Sequence, residues 1–126
     1  MNTKFHPSFV RPGDSIRWSA CGFDLIATVY TDIDPRPEDS DCYTPEQIKA
    51  WRAGEWFFCG IVVSVDRAGI TLSDKSASLW GIEANFPGTD NSYLAEVADE
   101  LQAEALSYAR KNLEILIEAS KIEGDI

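Results

Sequence analysis

The sequence predicts an α+β domain: an antiparallel sheet of about five strands, a short inserted helix, and a long C-terminal helix packed on one face of the sheet. Three observations predict it. Phe23 to Tyr30 alternates in side-chain character with the two-residue period of a strand, Trp56 to Val65 is a run of aromatic and β-branched residues, and residues 92 to 120 repeat apolar side chains at helical spacing. The chain has 126 residues, 44% hydrophobic and 25% charged, which suits one domain over 1–126 with a core that needs neither metal nor disulfide support.

Taken in order, residues 1–14 form an irregular lead-in, marked by Pro7 and the Pro12-Gly13 pair. Ser15 to Ser19 and Phe23 to Tyr30 make a hairpin around Cys21-Gly22, with Phe23, Leu25, Ala27 and Val29 sharing one face. Residues 32–41 hold two prolines and five acids against one Arg, so no regular element is expected there. Thr44, Pro45 and Gln47 then supply an N-cap, a first-turn proline and a capping box. The helix they start runs to about residue 53, closes at Gly54 and buries Ile48 and Trp51.

Trp56 to Val65, apolar on both faces up to Val63, is the expected central strand. Asp66-Arg67-Ala68-Gly69 turns the chain back into Ile70 to Leu72, and a second turn at Ser73–Ser76 leads into a further strand, Ala77 to Glu83. After Asn85-Phe86-Pro87-Gly88, one of Asp90, Asn91 and Ser92 caps a helix over 92–120. Its apolar stripe is Leu94, Val97, Ala98, Leu101, Ala105, Tyr108 and Leu116, and its acids Glu96, Asp99, Glu100 and Glu104 lie opposite. Toward the end, Leu113, Ile115, Leu116 and Ile117 spread apolar surface around the helix, so Leu113, Leu116 and Ile117 are the expected contact of a homodimer.

The balance of 21 acids against 11 Lys and Arg gives a formal charge of −10, most of it in the second half of the chain. Direct nucleic-acid binding is excluded on that ground, because phosphate contacts need clustered Lys and Arg, and no basic run exists. A membrane span is excluded too: the longest apolar run, Trp56 to Val63, falls far short of the roughly 20 residues a spanning helix needs. The first residues do not read as a signal peptide, which places the chain in the cytoplasm. Three cysteines without a C-x-x-C pair agree with a reducing compartment, and the only histidine, His6, precedes Pro7 near the chain start. Templates for catalysis are missing, with no phosphate loop, nucleophile elbow or His-x-x-x-His, so the chain reads as a non-enzyme without a cofactor.

Two acidic features remain as candidate partner-binding sites. One is the loop, through Asp32, Asp34, Glu38, Asp39 and Asp41; the other is the helical stripe Glu96, Asp99, Glu100 and Glu104. Loop carboxylates are hard ligands of the kind calcium and magnesium take, but counting from Asp32 the EF-hand pattern meets Pro37 where Gly belongs and Tyr43 where Glu belongs. Trp18, Trp51, Trp56 and Trp80 are expected in the core, with ligand stacking the alternative for Trp80, since Gly81 beside it permits close approach of a backbone or ligand.

Glu55-Trp56-Phe57-Phe58-Cys59-Gly60-Ile61-Val62-Val63, Ser78-Leu79-Trp80-Gly81-Ile82-Glu83 and Tyr93-Leu94-Ala95-Glu96-Val97-Ala98 resemble segments of small uncharacterised acidic proteins encoded by bacterial phages, prophages and plasmids. The resemblance covers roughly residues 44–106 and brings no functional residues with it. It implies a mobile-element setting, in which small acidic proteins inhibit host nucleases, restriction systems or CRISPR complexes. The sequence therefore points to a non-catalytic acidic interaction protein, an inhibitor that engages the basic surface of a host nucleic-acid-binding or defence protein. The alternative is a domain that binds a small ligand or divalent metal through the acidic loop 32–41.

Overall fold

The computed structural model describes residues 9–124, with side chains to 121; His6 and the first half of the lead-in lie outside the described residues. The elements are β1 (Ser15–Ala20), β2 (Phe23–Thr31), α1 (Pro45–Arg52), β3 (Phe57–Arg67), β4 (Ile70–Ala84), α2 (Ser92–Glu100) and α3 (Gln102–Gly124). The strands pair antiparallel in the order β1-β2-β3-β4, an α+β arrangement with four strands where five were expected.

The missing strand has a physical cause. Ile70–Leu72 and Ala77–Glu83 are not separated by a turn at Ser73–Ser76; they are parts of one 15-residue strand lying against the 11 residues of β3. The surplus is absorbed at three register shifts, opposite Cys59–Ile61, Val63–Val65 and Val65–Asp66. Each is a β-bulge, which bends the strand without ending its pairing. The polar run Ser73-Asp74-Lys75-Ser76 sits at the widest shift, so its composition marks a bulge.

Register explains the inner face. Leu25, Ala27 and Val29 stand opposite Val65, Val63 and Ile61, and all six are buried. The hairpins on either side turn through two positive-φ residues, Cys21-Gly22 and Ala68-Gly69, as the twist of two-residue hairpins requires. Phe9 and Val10 from the lead-in also reach the core. They are held there because the Asp14 carboxylate accepts from the Val10 and Arg11 amides at 3.1 and 2.8 Å, while Gly13 N–H donates to the Val29 carbonyl at 2.7 Å.

The helical stretch covers this face with Leu94, Ala98, Ala105, Leu106 and Ala109. The three alanines let the helix backbone lie close to β3 and β4. The expected single helix is two, α2 and α3, meeting at Leu101, whose φ/ψ of −74°/−12° is flattened toward 3-10 geometry. The turn-to-turn bonds Leu101 N–H to Val97 and Ala105 N–H to Leu101, both 3.0 Å, carry across the joint. Two members assigned to the apolar stripe are instead exposed: Tyr108 at 52% and Leu116 at 50%. The helix rotates its burial onto Leu106 and Ala109, and from Glu114 to Lys121 every residue is exposed.

A second, smaller core lies on the other side of the sheet. Residues 32–56 connect β2 to β3, and the capping box of α1 forms as expected: Gln47 N–H donates to Thr44 Oγ1 at 3.2 Å and Thr44 N–H to Gln47 Oε1 at 2.9 Å. The helix ends at Arg52 with Gly54 at φ +78°, and Ile48 and Trp51 are half-buried, not core. The buried anchor of this layer is Trp56, which packs with Tyr43, Phe58 and Phe86 at ring-centroid distances of 5.3, 5.2 and 4.9 Å. Its indole N–H donates to the Gln47 carbonyl at 2.8 Å, so the inserted helix and the start of β3 are locked together.

Candidate functional site

The acidic loop contains one short 3-10 turn, Pro37–Asp39, where no regular element was expected, and Pro37 is fully buried. The proline presets the turn because its fixed φ suits a first helical position. Asp34, Asp39 and Asp41 are exposed. Asp32 and Glu38 are half-buried and already engaged.

Asp32 Oδ2 accepts from Gly81 N–H at 2.9 Å and Oδ1 from Asp34 N–H at 3.2 Å. Its own amide donates to the Phe58 carbonyl at 3.0 Å, which continues the β2–β3 ladder by one step. Gly81, at φ +72°, is the extra residue of the bulge opposite Gly60, and its amide therefore lacks a ladder partner. Asp32 supplies that partner across 49 positions of sequence. Asn112 does the same for another shift, donating through Nδ2 to the Leu72 carbonyl at 2.8 Å.

Glu38 bridges Arg52 and, at 3.5 Å, Arg36. The Arg52 hydrogen bond holds the Glu38 carboxyl below its ordinary range against the opposing effect of desolvation, and Arg36 adds to the lowering. Asp90 is likewise lowered, by the Ser92 amide it accepts at 3.0 Å. That Asx-type contact, rather than a side-chain cap from Asn91, starts α2; Asn91 takes a left-handed φ of 66° and bonds Asn85 through its side chain.

Along the helices, Glu96, Asp99, Glu100 and Glu104 are all exposed. The first three sit on α2 and Glu104 on α3, and the joint at Leu101 leaves them on one side because the hydrogen-bond ladder is kept. Glu96, Glu100 and Glu104 make no ion pair with a described residue, and Glu100 follows Glu96 by four residues, about 6 Å along the axis.

Trp80, expected in the core, lies instead on the outer face, 48% exposed. The glycine that admits it is Gly60, on the neighbouring strand, not the adjacent Gly81: a Cβ on Gly60 would stand 2.1, 2.4 and 2.5 Å from the indole Cε3, Cδ2 and Cζ3. Tyr30, opposite Gly60 in the register, places its ring 6.3 Å from the indole at 36°. Sequence reasoning missed Tyr30 and the role of Asp32. A glycine within an otherwise apolar strand was the available signal of a close approach.

Buried Cys59 and half-buried Tyr43 and Tyr93 are neutral. Burial, with the Asp32 charge behind it, pushes the Cys59 thiol up to about 11. Burial and then the hydrogen bond donated to the Glu83 carboxylate raise Tyr43. Tyr93, whose hydroxyl donates to the Glu83 carbonyl, is raised by burial. None of these groups is poised as a base or nucleophile near neutral pH. Among the described residues no three His, Cys, Asp or Glu side chains gather where they could hold a metal ion.

At the far end of α3, Leu113 is half-buried while Leu116 and Ile117 are exposed. Together with Arg67, Ala68, Ile70, Leu72 and Ser120 they line an open apolar groove of about 310 Å³ between the helix and the β3–β4 turn. Among the described residues no helix is long and apolar enough to cross a membrane. The chain matches no family model, and no similar curated protein or solved structure is found.

Proposed function

We propose that this chain is a non-catalytic acidic interaction protein of mobile-element origin, which inhibits a host nucleic-acid-binding or defence protein by engaging its basic surface. The observation that carries the reading is the row of Glu96, Glu100 and Glu104, exposed on one side of the helices and without an ion pair among the described residues. Carboxylates left unneutralised on a rigid element preserve their field for a partner, and such a field steers association and sets specificity. Exposed Asp34, Asp39 and Asp41 extend the negative surface on the loop.

Binding of this kind is stoichiometric and weakens with salt. The test is capture from bacterial lysate at low and high salt, followed by titration of the purified partner. Glu100→Lys with Glu104→Lys abolishes complex formation while the circular dichroism spectrum is unchanged. A partner held equally well by the double variant and by the parent chain would overturn the reading.

A homodimer through Leu113, Leu116 and Ile117 accompanies the proposal, supported by the exposure of Leu116 and Ile117 beside an apolar groove. In the ultracentrifuge at tens of micromolar the parent chain sediments as a dimer and Ile117→Glu as a monomer. A parent chain that stays monomeric would remove the dimer.

A further inference from the structure

We infer that Trp80, Tyr30 and Asp32 form a seat for one arginine side chain of the basic partner; the inference rests on the partner reading above and adds to it a specific point of contact. Three neighbouring ring atoms of Trp80 are nearly equidistant from where a Gly60 Cβ would stand, so the indole lies flat on the strand and not edge-on. One aromatic face is closed by backbone, and with the side chain 48% exposed the other face is open. Tyr30, 46% exposed, stands at 36° beside it, so the two rings form a shallow open angle on the sheet surface.

Charge selects the occupant. The face of an aromatic ring is its negative side and attracts a cation placed over it, with Trp the strongest of the rings. Asp32 adds a full negative charge at the rim, since its Oδ2 is 2.9 Å from the amide of the residue after Trp80. No ion pair with a described residue neutralises Asp32, and the backbone amides it accepts from leave further lone pairs on both oxygens. An anion would meet repulsion from all three groups. A guanidinium satisfies them together, because it stacks its plane on a ring while its edge donates to a carboxylate. The same chemistry occurs within the fold, where Arg67 places Cζ 5.2 Å from the centre of the Phe23 ring.

An exposed tryptophan could instead serve only to shield Gly60, a known way of protecting a bare strand backbone. The two roles separate in a titration with a nona-arginine peptide, with a nona-citrulline peptide as the uncharged control, at low salt. The indole N–H resonance of Trp80 shifts with the arginine peptide and not with the citrulline one. Trp80→Ala weakens the arginine peptide about tenfold and Trp80→Phe, which keeps a ring face, recovers most of the loss. Asp32→Asn, which retains a carbonyl oxygen for Gly81 N–H, weakens binding without unfolding the chain. Should Trp80→Ala prove unstable, Tyr30→Ala serves as the second variant and weakens the peptide by a smaller factor.

Equal affinity of parent, Trp80→Ala and Tyr30→Ala overturns the seat. If that peptide binding is lost in Glu100→Lys with Glu104→Lys, the acidic-surface reading survives its loss. A parent chain that ignores the arginine peptide while still forming a salt-sensitive complex with a basic protein also overturns the seat alone.

Discussion

The acidic loop and the acidic helix carry similar charge, yet their carboxylates do different work. In the loop, Asp32 satisfies the amide that a β-bulge strands at Gly81, and Glu38 ties Arg36 and Arg52 to the 3-10 turn. On the helix, Glu96, Glu100 and Glu104 project from a side that no other element covers, and the fold gains nothing evident from them. A run of acids in a connection crossing a sheet is partly structural, because irregular backbone must find acceptors for its orphan amides. Acids on the outer side of a helix have no such task, since the helix satisfies its own backbone.

The loop layer depends on one anchor, Trp56. Trp56→Ala empties a fully buried site and should lower stability by about 3–5 kcal/mol in urea denaturation. A loss under 1 kcal/mol would mean that residues 32–56 are not fixed to the sheet, and the structural role given to the loop acids would fail with it. A narrower cut is Asp32→Ala, which deprives Gly81 N–H of its acceptor and should cost about 1–2 kcal/mol, with faster amide hydrogen exchange at Gly81. Asp32→Asn should recover most of that stability.

Acid titration separates Glu38 from the helical acids. Because Glu38 ionises more readily in the fold than in the unfolded chain, its contribution is complete above the ordinary glutamate range of about 4.3 and is lost as pH falls through its lower folded value. Chemical denaturation of Glu38→Gln should therefore show a shallower loss of stability below about pH 4 than the parent chain. An identical slope would mean that the arginine bridges do not persist in solution. The smallest effect belongs to the helix. Glu100→Lys with Glu104→Lys should leave stability within about 0.5 kcal/mol of the parent, with a slight gain as like-charge repulsion is relieved. A loss above 1 kcal/mol would show that the stripe is structural after all.

Much of the fold is legible in the sequence. The inward face of β2, the capping box at Thr44 and Gln47, the hairpin turns and the burial of Leu94, Ala98 and Ala105 all follow from periodicities and motifs of a few residues. The errors fall where the determinant is distant. Ser73–Ser76 has the composition of a turn, and only pairing against β3 makes it a bulge. Tyr108 and Leu116 fit a helical stripe by angle, but the sheet ends its cover of α3 before it reaches Leu116. For the candidate site, the exposed carboxylates of the helix could be read from the sequence, whereas the neighbourhood of Tyr30, Asp32 and Trp80 could not, since it joins the end of β2 to the middle of a bulge in β4.

The α+β class, the two-residue turns at Cys21-Gly22 and Ala68-Gly69 and the capping box of α1 could be read from the chain alone, because each rests on patterns within about a turn of helix or a strand pair; the net negative charge follows from composition. Which acids bond the backbone, how β4 accommodates its surplus residues and the seat of Trp80 over Gly60 arise from packing between distant segments. Those outcomes depend on register between strands and on contacts such as Asp32 with Gly81 and Asn112 with Leu72, where the partners are 49 and 40 residues apart and nothing local specifies the match.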